Sequence, residues 1–351
     1  MAGMTVAVPK IQGFDDDRYR RLVAEGYLRC APHPSADFTI VNYTAKAQYE
    51  RVWTPETVAC RGLIIRGDGT VVARPFGKFF NADDLPELPV EPFEAFEKLD
   101  GSLGILYEGP DGPAVASRGS LDSPHAHHAT ALFNTFDRPV PDGVTLLFEY
   151  IAPWNRIVCD YGDREELVLL AAIDTATGRD VTLPTDWPGP VVRRFDGVAD
   201  FDALRKLTRE GDGTESEGFV ARFASGLRVK LKRADYVRIH RLVTQVSPAA
   251  IWEAMRAGQN WGEILERVPD EFAAWVRKEV ATIQARYNAI ERQCRADFRD
   301  LGDRKATALY FQTCQHPGVL FKMLDRRPYA ELIWKQVRPQ TATAFRSDET
   351  A

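Results

Sequence analysis

The sequence predicts an α+β protein in which an antiparallel, hairpin-rich body is followed by an all-α segment. Three observations carry that reading. From about Ala59 to Lys232 short β-like runs alternate with Gly-rich turns. No helical period separates successive strands, so the βαβ rhythm of a parallel sheet is absent. Beyond about residue 240 the apolar residues change to three- and four-residue spacing.

Taken in order, "LIIRGDGTVVARP" is a strand, a Gly-Asp-Gly turn and a second strand, and "GILYEGPDGPAVASRG" repeats that arrangement. "GVTLLFEYI" and "ELVLLAAIDTATGRD" add two strands, and "EGFVARFASGLRVKLKR" is a third hairpin, closed across Ala224-Ser225-Gly226. After "KRADYVRIHRLV" the pattern turns helical. Ser247 reads as a cap with Pro248 at the first helical position. Asp270 is expected to cap a long helix with Phe272, Val276, Val280, Ile283, Tyr287, Ile290, Cys294, Phe298 and Leu301 on its apolar face. Shorter helices follow around "RKATALYFQTC", "GVLFKML" and "YAELIWKQV". With 351 residues the chain exceeds one typical core, and the expected domains are 1–240 and 241–351. Residues 1–40 are expected to pack on the first of these.

Composition narrows the function. The formal net charge of −5 argues against gripping a polyanion by bulk positive charge. Residues 1–240 hold 28 Lys and Arg against 36 Asp and Glu, whereas residues 241–351 hold 17 against 14. An anionic ligand must therefore be held by chosen residues. The five cysteines are widely spaced and form no CxxC pair, which reads as reduced thiols and not as zinc ligands. No apolar run approaches the roughly 20 residues needed to span a bilayer, and the N-terminus lacks a signal-peptide pattern, so a cytoplasmic location is expected.

The chemistry gathers around "FEKLDGSLGILY", where Lys98 stands two residues before an Asp-Gly-Ser turn. Five more segments place polar residues on strand-like runs: "CRGLIIRGDGTVVARPFGKFFN", "SRGS", "LFEYIAPWNRIV", "SEGFV" and "LRVKLKR". Strand side chains alternate faces, so Val229 and Leu231 share one face while Lys230 and Lys232 share the other. Two adjacent ammonium groups call for an anion opposite, and a phosphate suits both. A lysine nucleophile must be neutral to attack; Lys230, Lys232 and a bound Mg²⁺ are expected to disfavour the charged form of Lys98. Glu149 and Glu217 are candidates to hold that metal or a ribose hydroxyl, and Arg61 and Lys78 to clamp a polyphosphate. Together these residues describe a nucleoside-triphosphate site with a covalent lysine.

"KLDGS" resembles the KxDG motif of covalent nucleotidyltransferases, the group of polynucleotide ligases and mRNA capping enzymes. "SRGS", "FEYIAPWNRIV", "EGFV" and "VKLKR" are similar to that superfamily's later motifs, in order, and "CRGLIIR" with "ARPFGKFFN" resembles RNA ligase 1 of bacteriophage type. The resemblance covers roughly residues 40–240. It implies an antiparallel nucleotidyltransferase domain (ATP-grasp-like) before an all-α domain that binds RNA substrate. It also implies an ATP-dependent RNA ligase, with Mg²⁺ or Mn²⁺, that joins 5′-phosphate and 3′-hydroxyl ends through lysyl-AMP. Residue by residue, Lys98 is the nucleophile, Lys230 and Lys232 contact the α-phosphate, Glu217 serves the metal, and Glu149 serves the ribose or metal waters. Arg118 stands at the basic position of "SRGS"; Gly101 and Gly218 admit the nucleotide; Arg61 and Lys78 orient the β- and γ-phosphates; Phe79 or Phe80 lines the adenosine pocket. Fold analogy extends the role to RNA repair, with tRNA as a candidate substrate.

Plainer readings stand beside these. Tyr150 and Tyr161 fit an adenine stack or an aromatic core equally well. "HAHHA", residues 125–129, follows a helix-start signal, and His127 does not share a helical face with its neighbours, which favours a structural or solvent role over a metal site. The functional alternatives are a catalytically inactive binder of nucleotide or RNA ends, and a DNA ligase or capping enzyme. The helical tail counts against the latter pair, which normally carry a β-barrel there. The chain has no GxxxxGK[ST] loop for an end-healing kinase, so separate proteins are expected to prepare the RNA ends.

Overall fold

The computed structural model describes residues 11–198, 200–213, 215–258 and 270–339. The chain divides between Val237 and Arg238 into two units.

The first unit is built on three sheets. Helix α1 (Asp16–Ala24) begins where the Asp15 carboxylate accepts the Arg18 N–H. Strands β1 (Leu28–Pro32) and β2 (Phe38–Tyr43) follow, then short helices α2 (Ala45–Tyr49) and α3 (Pro55–Ala59), and strands β3 (Arg61–Arg66) and β4 (Val71–Ala73). These strands form an antiparallel sheet in the order β1-β2-β3-β4. One face carries Val41, Leu63 and Ile65 and buries Tyr19 and Leu22 of α1. The other face, with Ile40 and Ile64, packs on Ile105, Leu147 and Ala171 of the second sheet. Residues 11–43 thus supply a helix and two strands that the sequence pattern did not reveal, because β1 is short and half-buried and its alternation is weak.

The chain then enters β5 (Phe80–Asn81) and β6 (Phe93–Lys98), the hairpin β7 (Ser102–Gly109) and β8 (Gly112–Ser117), helix α4 (Pro124–Asn134), and strands β9 (Val144–Ile151), β10 (Glu166–Asp174), β11 (Asp180–Val181) and β12 (Arg194–Phe195). Helix α5 (Phe201–Glu210) leads into the hairpin β13 (Gly218–Phe223) and β14 (Arg228–Lys232). The second sheet runs β11-β10-β9-β7-β8 and the third β12-β6-β13-β14-β5. Phe133 of α4 covers the second sheet, against Phe148 and Trp187, and Leu204 of α5 covers the third, against Phe219 and Val229. One pairing departs from the antiparallel expectation: β5 runs parallel to β14, with Val229 opposite Phe80 and Lys230 opposite Asn81. The run "GKFFN" crosses from the first sheet to the third and carries Lys78 and Phe79 toward Lys230.

Helix α6 (Ala234–Gln245) spans the division between the units. In the second, α7 (Pro248–Arg256) starts at Ser247, whose hydroxyl accepts the Ala250 N–H at 3.2 Å. The long helix α8 (Asp270–Asp297) is followed by α9 (Arg304–Thr313), α10 (Pro317–Leu324) and α11 (Ala330–Gln336). Val276, Ile283 and Cys294 of α8 are buried, but α8 ends at Asp297 and Leu301 is 52% exposed, so the apolar stripe stops short of the expected one. The side chains of Asp270 and Phe272 lie outside the described residues. Among the described residues no helix is long and apolar enough to cross a membrane.

A bulge interrupts the first sheet at Gly62. Pairing between β2 and β3 passes from Val41 opposite Leu63 to Asn42 opposite Arg61, skipping the glycine. Gly62 has φ +95°, and a Cβ there would lie 2.7 Å from Ile105 Cδ1 and 3.1 Å from the Arg118 carbonyl oxygen. Gly62→Ala is expected to cost about 1–3 kcal/mol from strain and overpacking. Urea unfolding measures it, and an unchanged midpoint would show that the bulge tolerates a side chain.

Candidate active site

Lys98 is the last residue of β6, where the strand register sets it opposite Gly218, and Gly218 on its other side faces Lys232 of β14. Only glycine fits between them: at φ +146° a Cβ on Gly218 would lie 2.0 Å from the Leu231 carbonyl oxygen. The preceding residue, Glu217, is 3% exposed and uses both carboxylate oxygens. Lys98 Nζ donates to Oε2 at 2.6 Å, and Lys232 Nζ lies 2.8 Å from Oε1. Val229 and Leu231 turn into the core, leaving Lys230 and Lys232 on the opposite face as the alternation requires.

Electrostatics divide these groups. Burial works to raise the Glu217 pKa, but Lys98 and Lys232 outweigh it and hold the carboxylate ionised. Burial likewise disfavours charge on Lys98, yet Glu217 and Glu149 prevail and its pKa is raised. This corrects the expectation that cationic neighbours depress Lys98. The depressed lysine is Lys230, brought to about 7 first by burial and then by Lys78, Lys232, Lys98 and Arg61. Lys98 differs because a carboxylate touches it, whereas Lys230 makes no ion pair among the described residues.

Glu149, on β9, accepts the Gly101 N–H at 3.0 Å. Burial pushes its carboxyl up to about 7, against the opposing pull of Lys98. Gly101 is itself pressed against β9, since a Cβ there would lie 2.4 Å from the Tyr150 carbonyl oxygen. The turn after Lys98 is pinned by Asp100. Its Oδ2 accepts the Val158 and Cys159 N–H groups at 2.8 and 2.9 Å, its Oδ1 accepts the Tyr236 hydroxyl at 2.6 Å, and its own N–H donates to the Tyr161 hydroxyl at 2.9 Å. Ser102 and Asn155 exchange hydrogen bonds just beyond. Tyr161 therefore positions the turn, and Tyr150 donates its hydroxyl to Glu165 at 2.8 Å from within the core.

A second group surrounds Tyr43. Lys78 Nζ lies 3.5 Å from the Tyr43 hydroxyl oxygen, and the Arg118 guanidinium stands 5.7 Å from the ring centroid. Burial works to raise this phenol's pKa, but Lys78, Arg61 and Arg118 overcome it and the net shift is downward. Phe79 joins the two groups: Arg61 lies 5.9 Å from its ring centroid and Lys230 6.0 Å. Phe80 instead packs edge-on against Trp53. Among the described residues none of Arg61, Lys78, Arg118 and Lys230 has a carboxylate partner, so the site carries positive charge that an anion would complete.

For a metal, the described residues hold no cluster of three or more His, Cys, Asp or Glu in a ligating arrangement. Glu149 and Glu217 are hard oxygen donors of the kind that would suit Mg²⁺ or Mn²⁺. The histidines of "HAHHA" are spent elsewhere. His127 Nε2 lies 2.6 Å from Asp122 Oδ1, and the rings of His125 and His128 pack beside Trp154.

A family model described as RNA ligase matches residues 59–236, half of the chain. This chain belongs to the RNA ligase family. The match takes in each site residue from Arg61 to Tyr236 and leaves Tyr43 outside. A Thermovibrio ammonificans protein named "Putative RNA ligase" is 33% identical over 222 residues, covering 54% of this chain and 55% of that protein. The chain thus spans about half the length of that relative. Among solved structures it is similar to a Naegleria gruberi RNA ligase with PPi, at 17% identity and TM-score 0.34 over 43% of this chain and 52% of that one. It is also similar to an archaeal ATP-dependent RNA ligase, at 15% identity and TM-score 0.44 over 86% of each chain.

Sequence reasoning missed Tyr43, Tyr236 and Asn155 and gave Asp100 no role. "KLDGS" does display Asp100, but its partners come from residues 58 to 136 positions away. In the ligand-free protein a small amine-acylating reagent should label Lys230 with a midpoint near pH 7, and Lys98 only above the ordinary lysine range. Peptide mapping after brief acetylation across pH measures both, and Lys98 labelling first would contradict the charge assignment.

Proposed function

We propose that this protein uses ATP to join a 5′-phosphate and a 3′-hydroxyl end of RNA, passing AMP through Lys98. The observation that carries the reading is the placement of Lys98 on a buried carboxylate beside four cations that lack carboxylate partners among the described residues. Those cations form a receptor for a polyphosphate whose α-phosphorus lies at Lys98.

In the first step Lys98 gives its ammonium proton to solvent once bound charge weakens its pairing with Glu217, and acts as a neutral amine. Lys232 stays within reach of the other carboxylate oxygen. The Lys98 nitrogen forms a bond to the α-phosphorus, the bond from that phosphorus to the bridging oxygen breaks, pyrophosphate leaves with the electron pair, and the proton that the nitrogen sheds passes to solvent. Lys230 and Lys232 balance charge on the α-phosphate, and Arg61 and Lys78 align the leaving group. Glu149 and Glu217 would hold Mg²⁺ or Mn²⁺, which when bound would supply charge that offsets the phosphate. AMP then passes to the RNA 5′-phosphate, and the 3′-hydroxyl displaces it to seal the strand. Asp100 and Tyr236 keep the Lys98 turn in place through both transfers.

Residues 241–351 are assigned to RNA binding on their positive balance of 17 basic to 14 acidic residues. The setting is RNA repair, with tRNA a candidate substrate and separate proteins preparing the ends. The test is strand joining on a gel, with 5′-phosphate RNA and DNA as acceptors, ATP and GTP as nucleotides, and Lys98→Ala as control. Joining of RNA with ATP, lost by at least about a thousandfold in Lys98→Ala, is expected. Joining of DNA alone, or activity with GTP alone, would assign the chain to a different reaction.

A further inference from the structure

Of the tryptophans among the described residues, Trp154 alone is exposed, at 42%. It stands in a single 3₁₀ turn (Pro153–Asn155) that follows β9. Its ring is nonetheless held in place. The His125 and His128 rings lie 4.7 and 5.0 Å from it, centroid to centroid, and the buried Tyr150 ring lies 5.7 Å away. Both histidines reach it because they are three positions apart on α4 and share a face. A scattered surface aromatic has no such setting; here three rings fix an indole whose remaining surface meets solvent.

The next residue ties this patch to the reactive lysine. Asn155 is 4% exposed, and its side chain bonds in two directions. His125 Nε2 donates to Oδ1 at 2.8 Å, while Nδ2 donates to the Ser102 hydroxyl at 3.1 Å and to the Tyr150 carbonyl at 3.2 Å. Ser102 adjoins Gly101, whose N–H Glu149 holds, so the patch is fastened to the turn that carries Lys98. The same end of the second sheet presents Arg118. Ser117 and Phe148 both pair with Gly104 of β7, which sets them two strand spacings, about 10 Å, apart. Hydroxyls close the loop that runs from Ser117 into α4. The Ser120 N–H donates to Ser117 Oγ at 3.1 Å, Ser123 Oγ donates to it at 3.3 Å, and Ser123 Oγ caps the helix by accepting the Ala126 N–H at 3.2 Å. One fastened loop therefore carries a guanidinium near its start and leads into the two imidazoles. A cation beside an exposed, fixed aromatic suits a nucleotide of a single strand, whose phosphate takes the first and whose base stacks on the second.

We propose that Trp154, flanked by His125 and His128, stacks on the base of the RNA's 5′-terminal nucleotide and so holds that nucleotide's phosphate against the AMP on Lys98. The inference rests on the function proposed above. Departure of pyrophosphate frees Arg118 for the incoming 5′-phosphate, which puts the first base of that strand on Trp154. There an oxygen of the 5′-phosphate bonds to the α-phosphorus, the phosphorus–nitrogen bond breaks, and the Lys98 nitrogen takes the electron pair and a proton from solvent. Every base has a π-face, so the platform accepts any of the four.

The test uses the full chain charged with AMP from ATP and Mg²⁺ and then freed of nucleotide. It follows transfer of AMP to a short 5′-phosphate RNA whose 3′ end is blocked. Rates at limiting RNA are taken per mole of Lys98-linked AMP, so differences in folding or charging between variants cancel. Removing the base from the first nucleotide should slow transfer about fivefold to a hundredfold in the unmodified protein, the range of one base–aromatic stack. In Trp154→Ala the intact and abasic RNAs should differ by less than about twofold, and Trp154→Phe should restore part of the preference. A base preference that survives in Trp154→Ala would overturn the inference. So would a preference that Trp154→Ala abolishes only for the last base of the 3′-hydroxyl strand, read in joining to preadenylylated RNA, since the platform would then serve the other end. Failure of the unmodified protein to form the lysyl adduct removes the proposed function and this inference together. A charged, unmodified protein that passes AMP equally fast to both RNAs removes the inference alone.

Discussion

Everything at the site depends on one carboxylate. Glu217 sits at the head of a strand whose next residue, Gly218, is the only type that fits between Lys98 and Lys232. From there each oxygen faces one ammonium. Two ammonium groups at the ends of the strands on either side of β13 would repel, and a buried carboxylate would be costly alone; together they satisfy each other. The arrangement also keeps Lys98, the proposed nucleophile, in its unreactive form. Lys98 stays protonated until the charges around Glu217 change, which ties its activation to arrival of a ligand.

The rest of the first unit delivers further cations to the site from separate elements. Lys232 and Lys230 come from the third sheet by alternation, Arg61 from the first sheet beside a bulge, and Lys78 from the segment leading into β5, which pairs parallel to β14. The unusual parallel register matters because it brings the first sheet's cations to the face where Lys230 stands. Burial then separates the lysines: the one on a carboxylate holds its proton, and the one among cations titrates near neutrality. Chemical role and resting charge are therefore not the same property, since the most easily deprotonated lysine is not the one assigned to attack.

Much of the third sheet was legible in the sequence because period-two alternation and Gly-centred turns are local signals. "LRVKLKR" declares by itself which face Lys230 and Lys232 occupy. The motif order also marked Lys98, Glu149 and Glu217 as a set. The first sheet's first two strands were not legible: β1 is short, and β2 has five of its six residues buried with an asparagine and a tyrosine among them. The sign of the Lys98 shift was missed for a physical reason. Sequence shows that cations are numerous but not that a carboxylate lies 2.6 Å from one of them. Asp100 and Tyr236 are 136 positions apart, and nothing local announces their hydrogen bond.

The measurement that reaches the central claim most directly is peptide mapping by mass spectrometry after incubation with ATP and Mg²⁺, asking which side chain carries AMP. Lys98 and Lys230 both face the site, and Lys230 is the easier to deprotonate. The account predicts AMP on Lys98 alone and none in Lys98→Ala. AMP on Lys230, or no adduct on a protein whose starting mass shows it free of AMP, would contradict it.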